Sequence, residues 1–413
     1  MTDGRDSPGA GGSDARLGGG GTAGGAGAVG GSEGGVGGAG GAGGAGIGGS
    51  AGAGSGGQTG VGGGAVPPTC VRTLFGDYLV RKDGLLLYQD IVQQTTILDA
   101  AGGQPLGMVA TVTGGESHGC AGRADGSALC WPTTAQGNAY GQLGNNAATP
   151  PLYRAVPVHI SPTTELSGVS VMAAGSAAFS LNTSCAVKTD HTMWCWGDTT
   201  QVLNNGVDQY SVYAGQLMAD STTPFGNVIA ASLSYTNACA LVTTGTANEV
   251  RCWGMNAYGV AGNGTQSRVR YPTRVAGIVN PSALRVTSEA ACALEGDRVK
   301  CWGQNSNGEC GANSPDPVIL VPTLVKLSDG STLDGVVAIE TGFNDVCALR
   351  SSGALYCWGQ SAFLRYAAPY EAAGVGVSNV TLIGDATTPR FLTSDASYHL
   401  GQTTRAPNCG PLM

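Results

Sequence analysis

Charge and aromatic character are both scarce in this chain. Of 413 residues, 12% are charged and 6% are aromatic. Lys and Arg number 20 against 28 Asp and Glu, a net charge of −8, and the basic residues form no run. A partner such as duplex DNA or an anionic membrane needs a phosphate-neutralising Lys/Arg surface, so neither is expected. No apolar segment reaches the roughly 20 residues of a membrane-crossing helix. The opening MTDGRDSPGAGG has neither the basic start nor the apolar core of an export signal.

Groups that carry chemistry are missing too. The four histidines, His118, His159, His191 and His399, show no metal-binding spacing. Zinc clusters normally have cysteines two to four residues apart, and no such pair occurs. There is no phosphate-cradling Gly-x4-Gly-Lys. Gly115-Glu116-Ser117-His118-Gly119 matches the Gly-x-Ser-x-Gly of hydrolase nucleophiles. That motif works on a strand-to-helix elbow, whereas here it leads into a strand, turn and strand. The expectation is a chain with no metal, no cofactor and no catalytic residues.

Glycine, by contrast, is abundant, and 32 of the first 66 residues are Gly. Such a stretch has too little apolar surface to offset the entropy of ordering it, so 1–66 is expected to be a disordered Gly/Ala/Ser-rich linker. Its GGAGGAGGAG run shares the glycine period of collagen but has no proline in the repeat. The foldable part is 67–413, long enough for a sizeable core.

That part repeats itself. CAVKTDHTMWCWG (185–197) holds two cysteines ten residues apart around a polar turn, the second running into Trp-Gly. Cys120 and Cys130, Cys239 and Cys252, Cys292 and Cys301, and Cys347 and Cys357 recur in the same setting. Each copy reads as a β-hairpin. Turn length varies while both cysteines persist, so each pair is predicted to face across the ladder and form a disulfide. Tyr78 and Tyr88 keep the ten-residue spacing in YLVRKDGLLLYQ, where cross-strand aromatics can replace the disulfide. RFLTSDASYHLGQ repeats the pattern with His399-Leu400 in place of Cys-Trp. Seven copies over 67–413 correspond to about fifty residues each, the size of a four-stranded propeller blade.

The segments between hairpins agree. Each Trp-Gly is followed by a loop such as GNAYGQLGNN, GMNAYGVAGNG or GQNSNGECGAN, then by a proline-bearing strand such as YRAVPVHI, RYPTRVAGI or LVPTLVKL, and then by a strand such as GVVAIETG. This Cys-Ala-Leu, turn, Cys-Trp-Gly-x-Asn-x-x-Gly-x-x-Gly pattern resembles the repeat of the regulator of chromosome condensation family, and its cysteine pairing resembles that family's bacterial secreted members. The resemblance covers about 70–413 and implies an all-β, seven-bladed propeller of about fifty-residue blades. Three places depart from the pattern: Trp131 is followed by Pro132, and the loops after Gly197 and Gly359 keep little of it.

A closed propeller brings its ends together, so a Cys70–Cys409 bond is expected to lock the ring, with Cys310 as the odd thiol. Trp131, Trp196, Trp253, Trp302 and Trp358 occupy the same place in each copy and are read as packing between blades. What remains is a monomeric, non-catalytic binding module. Its irregular loops carry Tyr210, Tyr213 and Phe225 in one segment and Phe363, Tyr366 and Tyr370 in another, residues suited to contact a protein or glycan partner. The cysteine pattern points to an oxidising, extracellular or cell-surface setting. The family offers two alternatives: a guanine-nucleotide exchange role, as in its eukaryotic namesake, and inhibition of a secreted enzyme such as a β-lactamase.

Overall fold

The computed structural model describes residues 71–405 apart from 76–77, 90–93, 102, 116, 175–181, 199–209, 235, 343, 361–372, 375–378, 385–389, 394–397 and 401–402. The expected linker 1–66, Cys70, Cys409, Phe363, Tyr366 and Tyr370 lie outside the described residues.

The described elements are strands, arranged as seven four-stranded antiparallel sheets and one two-stranded ribbon (His159–Ser161 with Thr164–Glu165). Each four-stranded sheet is a simple meander whose strands pair in chain order. The sheets occupy 71–96, 109–157, 169–216, 228–274, 281–324, 336–374 and 380–405. Their first strands stand side by side in sequence, and Val71–Phe75 lies between Val109–Gly114 and Val380–Gly384, so the ring closes.

The expectation of seven like blades of about fifty residues is corrected on this evidence. Six sheets are blades with side chains described on both central strands; the sheet over 380–405 is described at its last two strands by backbone register alone. The units are also unequal: successive sheets begin at residues 71, 109, 169, 228, 281, 336 and 380. Loops, not strands, absorb the difference. The connection between the third and fourth strands runs from Thr133 to Ala155 in the second blade and is four residues in the first.

The cysteine hairpins form the second and third strands of five blades. Cys120 faces Cys130, Cys185 faces Cys195, Cys239 faces Cys252, Cys292 faces Cys301 and Cys347 faces Cys357. All five pairs are disulfides, with Cα atoms 4.0 to 4.1 Å apart. That separation belongs to directly opposed residues whose side chains approach most closely. Tyr78 faces Tyr88 in the first blade with ring centroids 5.3 Å apart, the aromatic substitute for a bond. Phe391 faces His399 at the same place in the last sheet.

A second repeat, not anticipated from the sequence, joins one blade to the next. The residue before the first strand of every sheet after the first takes the left-handed conformation: Met108 (φ 58°), Gly168 (72°), Asn227 (60°), Asn280 (48°), Gly335 (66°) and Asn379 (61°). Gly and Asn are the residues for which this conformation costs least. The following valine then donates its N–H to the hairpin turn of the preceding blade: Val109 to Gly84 O, Val169 to Gly126 O, Val228 to His191 O, Val336 to Asp297 O and Val380 to Gly353 O, at 2.9 to 3.1 Å. Pro281 has no N–H to give. There the preceding hairpin turn is longer, and Asn248 instead donates to the Asn280 side chain (3.0 Å) and to Pro281 O (3.1 Å).

Candidate functional site

In a meander, the first-to-second and third-to-fourth connections emerge at one end of the blade, and the hairpin turns at the other. The first of these ends carries the longest loops, and its construction separates residues that hold the fold from residues that face outward.

All five repeat tryptophans are fully buried. Trp196 Nε1 donates to Gln142 O at 2.8 Å, and Trp302 Nε1 to Val260 O at 2.7 Å, each acceptor lying in the loop of the preceding blade. The last glycine of the Gly-x-x-Gly loop makes room for the ring: a Cβ on Gly144, Gly262 or Gly311 would stand within 3.0 Å of Trp196, Trp302 or Trp358. Trp131 meets Tyr78 edge-on at 5.4 Å, and Trp253 meets Phe225 edge-on at 5.7 Å. The tryptophan and the glycine loop are therefore two halves of one joint between blades.

The loop asparagine braces the same joint. Asn256 accepts from Ala261 N and donates to Thr265 O and Ser267 O; Asn305 accepts from Cys310 N and donates to Ser314 O and Asp316 O. Cys310, the free thiol among the described cysteines, is buried within this loop. Burial, and then the neighbouring Glu309 carboxylate, push its pKa well above the ordinary thiol range. Such a thiol is inert.

The Gly-x-Ser-x-Gly segment leads into the strand His118–Arg123, as its place in the repeat implies. His118 is buried; its Nε2 lies 2.7 Å from Ser184 Oγ of the next blade, and its Nδ1 has no partner among the described residues. Desolvation lowers its pKa to about 4, so the ring is neutral near pH 7. Ser117 Oγ reaches Asn182 Oδ1 at 3.4 Å, not a histidine.

The expected contact residues divide. Tyr210 is 56% exposed, and its ring meets Tyr140, 42% exposed, edge-on at 5.7 Å. Tyr213 is half-buried, and its hydroxyl accepts from Asn146 Nδ2 at 3.1 Å. The long loop of the second blade thus meets the start of the third blade's fourth strand, Ser211–Gln216, in one aromatic patch. Phe225 is a correction: it is buried against Trp253 in the packing between blades, because it follows the fourth strand at the opposite end. Tyr140 was not singled out from the sequence, although it stands in the GNAYGQLGNN loop. Only its contact with a residue seventy positions away distinguishes it from Tyr258 in the equivalent loop.

A cavity of about 330 Å³ opens along the ring axis, lined by the first strands of the six blades. Within it Arg285 and Glu340 form a bidentate pair, Nε to Oε2 at 2.6 Å and Nη2 to Oε1 at 2.5 Å.

No family model and no curated protein matches the chain. Solved structures do. The chain is similar to human WBSCR16 (TM-score 0.55, 16% identity, covering 70% of this chain and 75% of that one). It is also similar to Prp20p of Saccharomyces cerevisiae (TM-score 0.54, 13% identity, 77% and 80%) and to the yeast RCC1 (Prp20) structure with Kap60 (0.52, 15%, 70% and 68%). The fold is that of RCC1-like β-propellers. At these identities the likeness concerns the fold and carries no activity with it.

Proposed function

We propose that this chain is a non-catalytic binding propeller of the bacterial, cysteine-paired, secreted type, which holds a protein partner at its long-loop end. The observation that carries the reading is the Tyr140–Tyr210 pair: two rings, each about half exposed, held at right angles by loops from neighbouring blades. Large, rigid aromatic side chains left in water at a loop end are the anchors that protein interfaces bury. The hydrogen bond from Asn146 to the Tyr213 hydroxyl joins the same two blades. The five disulfides support an oxidising, extracellular setting, where such bonds persist. Prp20p, whose structure was described with its binding to Gsp1p and histones, supports a protein as the kind of partner.

A photo-reactive benzoylphenylalanine at position 140 tests this in the native extracellular fraction. The expected result is a cross-linked protein species that unlabelled wild-type chain competes away and a Tyr210→Ser chain does not. Absence of any cross-link, or equal competition by the Tyr210→Ser chain, would overturn the proposal.

A further inference from the structure

The axial cavity is two-sided. Leu74, Phe75, Val112, Val171 and Met172 form an apolar wall, while Thr111, Ser232, Arg285 and Glu340 supply the polar groups. Both hydroxyls are set by the neighbouring blade. Thr111 Oγ1 accepts from Met172 N at 3.1 Å, and Ser232 Oγ accepts from Val286 N at 2.9 Å. Each oxygen is thus engaged as an acceptor, and among the described residues each hydroxyl proton is left to donate.

The ion pair is equally placed. Arg285 also donates Nη1 to Leu284 O at 2.9 Å, so its fork is held at a fixed angle. The side chains of Arg285 and Glu340 retain 32% and 14% of their exposure, within the cavity wall. Among the described residues lining the cavity they are the only charged ones. Opening onto the cavity spares the pair the desolvation cost of a fully buried one and leaves both charged groups within reach of a ligand.

We propose that the axial cavity binds a small apolar α-amino acid. Its ammonium would sit on the Glu340 carboxylate, its carboxylate on Arg285 and the hydroxyls, and its side chain on the apolar wall. A zwitterion matches a site that is neutral overall yet carries one fixed charge of each sign. A simple carboxylate or amine would leave the opposite charge to repel it. At about 330 Å³ the cavity is at the small end of ligand pockets, the size for a single amino acid rather than a peptide.

Calorimetric titration of the intact, oxidised chain with L-phenylalanine, L-leucine, 3-phenylpropionate and phenethylamine tests the proposal. The expected result is saturable one-to-one binding of at least one amino acid, with both single-charge analogues weaker by roughly tenfold or more. The double variant Arg285→Met/Glu340→Gln removes both charges together and leaves no lone ion behind. It should abolish binding while keeping the native circular dichroism. Should that variant fail to fold, Ala230→Leu, which fills the cavity from its wall, should abolish binding in its place. No binding of either amino acid to the folded wild type would overturn the proposal. So would a single-charge analogue that binds as tightly as the amino acid, or binding unchanged in the variant. These readouts are independent of the aromatic patch at the loop end.

Discussion

Trp302→Phe and Trp358→Phe make a matched pair. Both tryptophans are fully buried, both follow a hairpin cysteine, and both lie against a loop glycine. They differ in one bond. Trp302 Nε1 donates to Val260 O at 2.7 Å, whereas Trp358 Nε1 is buried with no partner among the described residues. Each substitution leaves a similar void, at a cost of about 1–3 kcal/mol. Trp302→Phe also strands a buried carbonyl, worth about 1–3 kcal/mol more, while Trp358→Phe removes an unpaired N–H and recovers a comparable amount. The Trp302→Phe chain should therefore be less stable than the Trp358→Phe chain by about 2–6 kcal/mol. Urea unfolding of the oxidised proteins, followed by tryptophan fluorescence and circular dichroism, reads this as a difference in midpoint at equal slope. Equal destabilisation by the two substitutions, or a greater loss at position 358, would refute the hydrogen-bonding account of the joint between blades.

Gly303→Ala should cost more than Gly264→Ala, because a Cβ at 303 (φ 114°) would stand 2.5 Å from Glu289 O whereas at 264 (φ 78°) it meets nothing within 4 Å. Strain alone at 264 is worth about 1 kcal/mol, and a thermal melt in which the two variants coincide would contradict the clash. His118 has a folded-state pKa of about 4, below its ordinary value of 6.5, because burial disfavours the charged ring. Its contribution is therefore complete above pH 6.5 and is lost as pH falls toward 4, by at most about 3 kcal/mol. His118→Thr, the residue type at the equivalent Thr183, should flatten stability between about pH 7 and 4.5; an unchanged pH profile would count against a buried neutral imidazole. Cys310 should resist alkylation at about pH 8 in the folded chain and react after denaturation, as mass spectrometry of its peptide would show. Rapid native labelling would mean that the loop around it opens.

Much of the fold was legible because it is local. A hairpin brings together residues 9 to 13 positions apart, so a recurrent cysteine spacing and a polar turn suffice to name the partners, and all five described bonds follow that reading. Tyr78 facing Tyr88 extends the same logic to a blade without a bond. The equal-length blade was less well founded. An average over the repeat hides the freedom of the third-to-fourth connections, which lengthen at little entropic cost. The aromatic residues show the other limit. Tyr210 and Phe225 stand fifteen positions apart with similar local composition, yet one faces water and the other fills a joint between blades.

The amino-acid order by itself determined the repeating hairpin, its cross-links, and the tryptophan and glycine that recur with it. Each depends on contacts within one strand–turn–strand, where backbone geometry leaves few choices. The tertiary structure alone decided which residues line the axis and which meet at the loop end. Arg285 and Glu340 are 55 positions apart and share a wall only because their strands occupy the same place in adjacent blades. Tyr140 and Tyr210 meet because the third-to-fourth connections of adjacent blades lie at the same end of the ring. Ring closure, which no single repeat encodes, converts a one-dimensional pattern into a cavity and a patch.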